Sequence, residues 1–244
     1  MEKNVIVQIS DIHCGSSLFR ENIMKKVIHQ VNELKPDLLV ITGDLTMDGY
    51  YEEYRMALKY ISQFKIKKKI IVPGNHDARN VGYKTFEKLI GNPFKCIKLN
   101  NNQIIICGVD STEPDLDDGQ LGRYHTMKLK RIYSRNYKFK ALALHHHVIS
   151  VPNSGREMNI LRDAGDVLKM AVKSKLNLIM SGHKHIPNLW NFEGIKVLTC
   201  ATTTDGRIRG IYKNSYNIIT ITNKLKIEKR EVEGGTVTLY EGSL

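Results

Sequence analysis

Ile70-Ile71-Val72-Pro73-Gly74-Asn75-His76-Asp77 is the stretch on which the reading of this chain turns. Three β-branched apolar residues make a strand, Pro73 and Gly74 stop it, and an amide, an imidazole and a carboxylate follow at once. A polar turn would account for those three side chains as well as a reactive site would. What separates the two readings is whether other strands end in the same way.

They do. The apolar run at 5–9 ends at Ser10-Asp11-Ile12-His13, and the run at 38–41 ends at Thr42-Gly43-Asp44. Between them lies a helical pattern from about 20 to 35, with Ile23, Val27, Val31 and Leu34 on one stripe and Pro36 closing it. A second helical pattern, from about 52 to 64 with Met56, Tyr60, Ile61 and Phe64 facing inward, leads to the opening strand. The order βαβαβ predicts a largely parallel sheet covered by helices.

Further along, a strand at 104–109 is followed by an acidic loop at 110–122 and a basic helical stretch from 123 to about 134. A strand at 141–144 ends at His145-His146-His147. A helix from about 163 to 173 leads to a strand at 176–180 that ends at Ser181-Gly182-His183-Lys184-His185. From Asn188 onward, strands at 189–192, 197–201, 216–222 and 225–232 read as hairpins that complete a second, mixed sheet, with the tail after Gly234 loosely held. Residues 1–244 therefore read as a single α/β domain.

The bulk numbers fit. At 244 residues, 41% hydrophobic and 25% charged, the chain can bury a sizeable core. No secretory leader and no apolar run of spanning length stand out, so the expectation is a cytoplasmic protein without a membrane partner. The four cysteines, Cys14, Cys96, Cys107 and Cys200, lack metal-site spacing and read as reduced thiols, with Cys107 and Cys200 in the core. A net charge of +12 permits nucleic acid as a partner but does not favour it, because no aromatic residues interleave with the lysines.

In an open α/β sheet the carboxyl ends of the strands share an edge where ligands bind. Asp11, His13, Asp44, Asn75, His145, His183 and His185 would meet there. Carboxylate and imidazole with one amide oxygen suit manganese, iron, zinc or cobalt, and the absence of cysteine argues against a structural zinc site. Seven donors exceed what one open ion needs but suit two ions that share a carboxylate, with Asp44 as the bridge. Such a pair, ~3.5–4 Å apart, activates water near neutral pH and clamps a phosphoryl group for in-line attack.

Asp11-Ile12-His13, Gly43-Asp44, Gly74-Asn75-His76-Asp77, His145-His146 and Gly182-His183-Lys184-His185 together resemble the calcineurin-like metallophosphoesterase signature, in the family's order. The chain most resembles the compact branch that holds cyclic-nucleotide and glycerophosphodiester phosphodiesterases. That resemblance implies a four-layer α/β/β/α sandwich of two mixed β-sheets flanked by helices. It assigns Asp11, His13 and His185 to one ion and Asn75, His145 and His183 to the other, with Asp44 shared and manganese or iron favoured. It makes His76 the acid at the leaving oxygen, oriented by Asp77 or Asp48. Relatives in that branch often carry proline after the paired histidines where this chain has His147-Val148, so His146 competes with His145 as ligand.

Arg79, Arg123, Arg156 and Arg162 are candidate phosphate clamps, because guanidinium binds oxyanions bidentately. The expected activity is hydrolysis of a small phosphodiester by a metal-bound hydroxide. A nuclease and an inactive scaffold of the same fold are the alternatives. A homodimer joined through the C-terminal hairpins is a further expectation.

Overall fold

The computed structural model describes residues 2–155 and 160–244. In chain order the elements are β1 (Asn4–Ile9), α1 (Glu21–Leu34), β2 (Leu38–Thr42), α2 (Tyr51–Ile61), β3 (Lys69–Val72), α3 (Gly82–Leu89), β4 (Lys95–Leu99) and β5 (Ile104–Gly108). They continue with α4 (Gly122–Tyr133), β6 (Phe139–Ala143), α5 (Ala164–Lys173), β7 (Leu178–Ser181), β8 (Asn188–Phe192), β9 (Ile195–Thr199), β10 (Ser215–Ile221), β11 (Lys224–Glu231) and β12 (Thr236–Ser243).

Two six-stranded sheets result, in the orders β12-β11-β10-β1-β2-β3 and β4-β5-β6-β7-β9-β8. β1, β2 and β3 run parallel, as do β5, β6, β7 and β9, and the remaining pairs are antiparallel. Alternation along each strand divides its side chains between two layers of core. Ile6, Leu38, Val40 and Ile70 of the first sheet face Ile106, Ala141, Met180 and Leu198 of the second. On the outer side of the first sheet, Val7, Ile9, Leu39 and Ile41 pack under α1 and α2 through Ile23, Val27, Val31, Tyr54 and Ala57. Ile105, Leu142 and Ile179 do the same under α4 and α5 through Leu129, Tyr133, Val167 and Met170. The four layers are α/β/β/α, and the doubly covered strands explain why they read as unbroken apolar runs.

Several expectations are corrected. Only β8 and β9 complete the second sheet, while β10, β11 and β12 extend the first beside β1. The segment after Gly234 is not loose: it forms β12, hydrogen-bonded along β11. Met56 is exposed, and the inward stripe of α2 is Tyr54, Ala57, Tyr60 and Ile61. α3 and β4 were not expected. α3 buries only Gly82 and Phe86, too few positions for a helical period, and β4 is a lysine-flanked edge strand.

The cysteines are corrected as well. Cys96 and Cys107 form a disulfide. They stand opposite one another in the antiparallel pair of β4 and β5, a juxtaposition hidden as long as β4 is unrecognised. Cys14 and Cys200 are free and buried. Among the described residues no helix is long and apolar enough to cross a membrane.

Candidate metal centre

The seven donor residues leave their strands within a few positions of the carboxyl ends of β1, β2, β3, β6 and β7. Five of them, Asp11, His13, Asp44, His183 and His185, have φ between 52° and 77°. Left-handed backbone is uncommon outside glycine, though Asp and His adopt it more readily than most residues, and it turns each side chain sharply off its strand axis. Glycines make the turns fit. A Cβ on Gly74 would lie 2.4 Å from the Asp44 amide nitrogen, and one on Gly43, at φ +91°, would lie 2.7 Å from the Gly74 nitrogen. The loops after β2 and β3 thus touch backbone to backbone.

Hydrogen bonds then lock the loops in register. Asp11 N–H donates to the Gly43 carbonyl at 3.0 Å and His13 N–H to the Asp44 carbonyl at 2.9 Å. His76 N–H donates to Asp44 Oδ1 at 3.0 Å. One oxygen of Asp44 is committed by that bond, so Oδ2 is the one left for the centre. It lies 3.6 Å from His13 Nε2 and 3.4 Å from His145 Nε2.

Two knots of donors flank that oxygen. In the first, Asp11, His13, Asp44 and His185 place one ligand atom each within 4.8 Å of one another, all buried. His13 Nε2 and His185 Nε2 are 3.0 Å apart, and Asp11 Oδ1 is 3.4 Å from His185 Nε2. In the second, Asn75 Oδ1 lies 3.0 Å from both His145 Nε2 and His183 Nδ1, which are themselves 3.2 Å apart.

The partners outside the knots fix which atoms face inward. His145 Nδ1 donates to the Thr42 carbonyl at 2.7 Å and His185 Nδ1 to the Arg207 carbonyl at 3.0 Å, leaving an Nε2 lone pair inside each knot. Asn75 Nδ2 donates to Asp117 Oδ1 at 3.0 Å, so the amide oxygen points at the histidines. Acceptor therefore faces acceptor at hydrogen-bond distance in a buried place, an arrangement that needs a proton or a cation between the atoms. The donor set fits two cations that share Asp44.

The electrostatics agree. Burial holds the His13 imidazole well below its ordinary value, helped by His185, His76 and the Arg207 guanidinium against the opposing pull of Asp44. Burial, then His146 and His145, lower His183 in the same way. Burial also presses on His145, but the charge and hydrogen bond of Asp44 outweigh it and carry the group to about 9. His185 is raised against burial by its bond to Asp11. Asp44, despite burial, is held well below the carboxylate range, chiefly by His145 and His76.

His146 points elsewhere: Nδ1 meets Ser111 Oγ at 2.9 Å and Nε2 meets the Asp117 carbonyl at 3.2 Å, so both ring nitrogens are engaged outside the knots. His76 lines the cleft, with Nδ1 anchored on the Met47 carbonyl at 2.5 Å. That carbonyl, and neither Asp77 nor Asp48, orients the ring. Asp77 is fully buried beneath the cleft and accepts from Leu45 N–H, Thr46 N–H, Thr46 Oγ1 and Gly74 N–H at 2.8–3.1 Å. Its position makes it a clamp of two loops rather than a catalytic group, because no face of its carboxylate reaches the cleft.

A cleft of about 220 Å³ lies over the knots, lined among others by Asp44, Asn75, His76, Arg79, Arg207 and Arg209. Of the four arginines expected to clamp phosphate, Arg79 is there, ion-paired with Asp48 at 3.3 Å and Asp117 at 3.1 Å. Arg123 lines a separate hollow between α4 and α5, since α4 carries it away along the outer layer. Arg162 is held by Glu113 at 2.7 Å. Arg156 lies outside the described residues. Lys184, Arg207 and Arg209 were missed. The two arginines lie in the 15 residues between β9 and β10, where sequence offered only a basic run and no period to place it.

Comparison with known proteins agrees with the fold. A sequence model of calcineurin-like phosphoesterases matches residues 5–187. The chain is 26% identical over 205 residues to a probable cyclic nucleotide phosphodiesterase of Vesicomyosocius okutanii, covering 81% of this chain and 85% of that protein. It is 26% identical over 215 residues to a probable glycerophosphodiester phosphodiesterase of Arcobacter nitrofigilis, covering 81% and 78%. A dimetal phosphatase from Danio rerio superposes with a TM-score of 0.74 at 10% identity over 97% of this chain and 98% of the other, which shows a common fold. With the match reaching from β1 through the last donor, His185, this chain belongs to the calcineurin-like phosphoesterase family.

Proposed function

We propose that the protein is a dimetal phosphodiesterase acting on a small phosphodiester of the cyclic-nucleotide or glycerophosphodiester type. The observation that carries the reading is Asp44 Oδ2 set between two knots of buried donors, 3.6 Å from His13 Nε2 and 3.4 Å from His145 Nε2, at the base of a cleft edged by His76. Asp11, His13 and His185 would hold one cation, Asn75, His145 and His183 the other, and Asp44 both. Donors of this kind suit manganese, iron, zinc or cobalt, with manganese or iron favoured. When bound, such a pair supplies a nucleophile at neutral pH and neutralises charge on the phosphoryl oxygens.

The chain does the rest. Thr42 and Arg207 carbonyls keep two imidazoles in the tautomer that offers Nε2. The Met47 carbonyl fixes His76 through Nδ1, so the proton delivered to a leaving oxygen is carried on Nε2. The names carried by the two curated relatives support the diester class.

Manganese-loaded protein should hydrolyse bis(p-nitrophenyl) phosphate between about pH 6 and 9. His76→Ala should lower turnover by roughly 10²–10⁴-fold, the usual contribution of a general acid, with two metals still bound per chain by elemental analysis. Absence of turnover in the parent protein, or loss of metal in the variant, would overturn the assignment.

A further inference from the structure

Charge around the cleft exceeds what a simple diester needs. Two divalent cations against the carboxylates of Asp11 and Asp44 leave a surplus of about two positive charges, which an attacking hydroxide and an ordinary phosphodiester, at one negative charge each, already balance. Arg79 adds nothing to the surplus, because Asp48 and Asp117 both engage it. Arg207 and Arg209 do add to it. Among the described residues neither guanidinium has a carboxylate within ion-pair distance: Arg207 reaches the Met47 sulfur and Arg209 donates to the Ser154 carbonyl.

The loop that carries these two side chains is built into the site. The Arg207 carbonyl receives His185 Nδ1 at 3.0 Å, its backbone N–H donates to Asp205 Oδ1 at 2.6 Å, and the Arg20 N–H binds the nearby Thr204 carbonyl at 3.1 Å. The loop is thereby braced against a donor of the metal centre. Its guanidiniums line the same 220 Å³ cleft. Two like charges held in one cleft repel until an anion enters, and guanidinium is the group whose fork matches phosphate oxygens.

We propose that Arg207 and Arg209 form a second anion subsite, so that the preferred substrate is a nucleotide-sized phosphodiester bearing an additional phosphomonoester. The inference rests on the phosphodiesterase reading and narrows its substrate class. The scissile diester sits over the two donor knots, and the additional phosphate sits between the two guanidiniums, where it gains affinity without taking part in the bond change.

The test compares the thymidine dinucleotide with and without a 5′-phosphate on manganese-loaded protein. The phosphorylated form should show kcat/KM at least about tenfold higher, mainly through KM, with the advantage shrinking as salt rises. Arg207→Ala and Arg209→Ala should each bring that ratio towards one, and Arg207→Lys should keep part of it. The backbone carbonyl bracing His185 survives all three substitutions. Hydrolysis of both dinucleotides at equal efficiency would overturn the second subsite while leaving the phosphodiesterase reading intact. So would a preference unmoved by both alanine variants. Hydrolysis of neither dinucleotide nor bis(p-nitrophenyl) phosphate would overturn both.

Discussion

Asn75 shows how much of this site hangs on the orientation of single side chains. Its amide can face the histidines with oxygen or with nitrogen, and only the oxygen can bind a cation. Asp117 decides, by taking Nδ2 at 3.0 Å, and Arg79 in turn holds the same Asp117 oxygen at 3.1 Å. Asp117→Ala should therefore weaken the second cation by roughly 10–100-fold, the usual effect of losing a ligand's orienting partner, while the first binds as before. Titration calorimetry with manganese would resolve the two events, with Asn75→Ala as reference. Two undisturbed sites in Asp117→Ala would refute the orienting role. In the sequence Asp117 stood in an acidic run with Asp115 and Asp118 and nothing marked it out, because its partner is 42 residues away.

At the scale of elements, strands aim the site and turns finish it. The βαβαβ order was legible because β1, β2, α1 and α2 each bury a periodic set of side chains. α3 and β4 were not, having too few buried positions to leave a period. The loops after β2 and β3 are tied by Asp77, whose carboxylate collects Leu45, Thr46 and Gly74. Sequence adjacency to His76 suggested a catalytic partner, yet the carboxylate turns inward to satisfy buried backbone. Asp77→Ala leaves several of those donors without an acceptor, at ~1–3 kcal/mol each. We expect a loss of at least about 3 kcal/mol, which for a chain of this size lowers Tm by roughly 6–12 °C. Asp77→Asn, keeping one acceptor, should fall in between. Thermal unfolding within about 2 °C of the parent for Asp77→Ala would show that the loops hold without the clamp.

At the scale of the molecule, the donor knots join the two sheets. Asp11, His13, Asp44 and Asn75 follow β1, β2 and β3 of one sheet, and His145, His183 and His185 follow β6 and β7 of the other. Cations bound there would staple the layers, adding ~2.7 kcal/mol per site at a hundredfold excess over Kd, or about 5–10 °C in Tm. The sign with pH follows from His145. Its folded value is raised to about 9, so without metal the imidazolium stabilises fully below its unfolded value of about 6.5, and that contribution is lost as pH rises through about 9. A cation must displace the same proton and binds better as pH rises. The gap in Tm between manganese-loaded and chelator-treated protein should therefore widen from pH 6 to pH 9. A gap that narrows, or does not change, would contradict the donor assignment.

The sequence by itself determined the α/β class, the parallel strands and the donors at their ends, because periodicity and strand-end chemistry are local properties carried by neighbouring residues. Only the tertiary structure decided that β10, β11 and β12 join the first sheet, that Cys96 meets Cys107, that Asp77 is a clamp, and that Arg207 and Arg209 edge the cleft. Each of these depends on which strands lie side by side and which loops then come into contact. That is settled by burial across the two sheets and by pairing between residues far apart along the chain, and no window of sequence contains both partners.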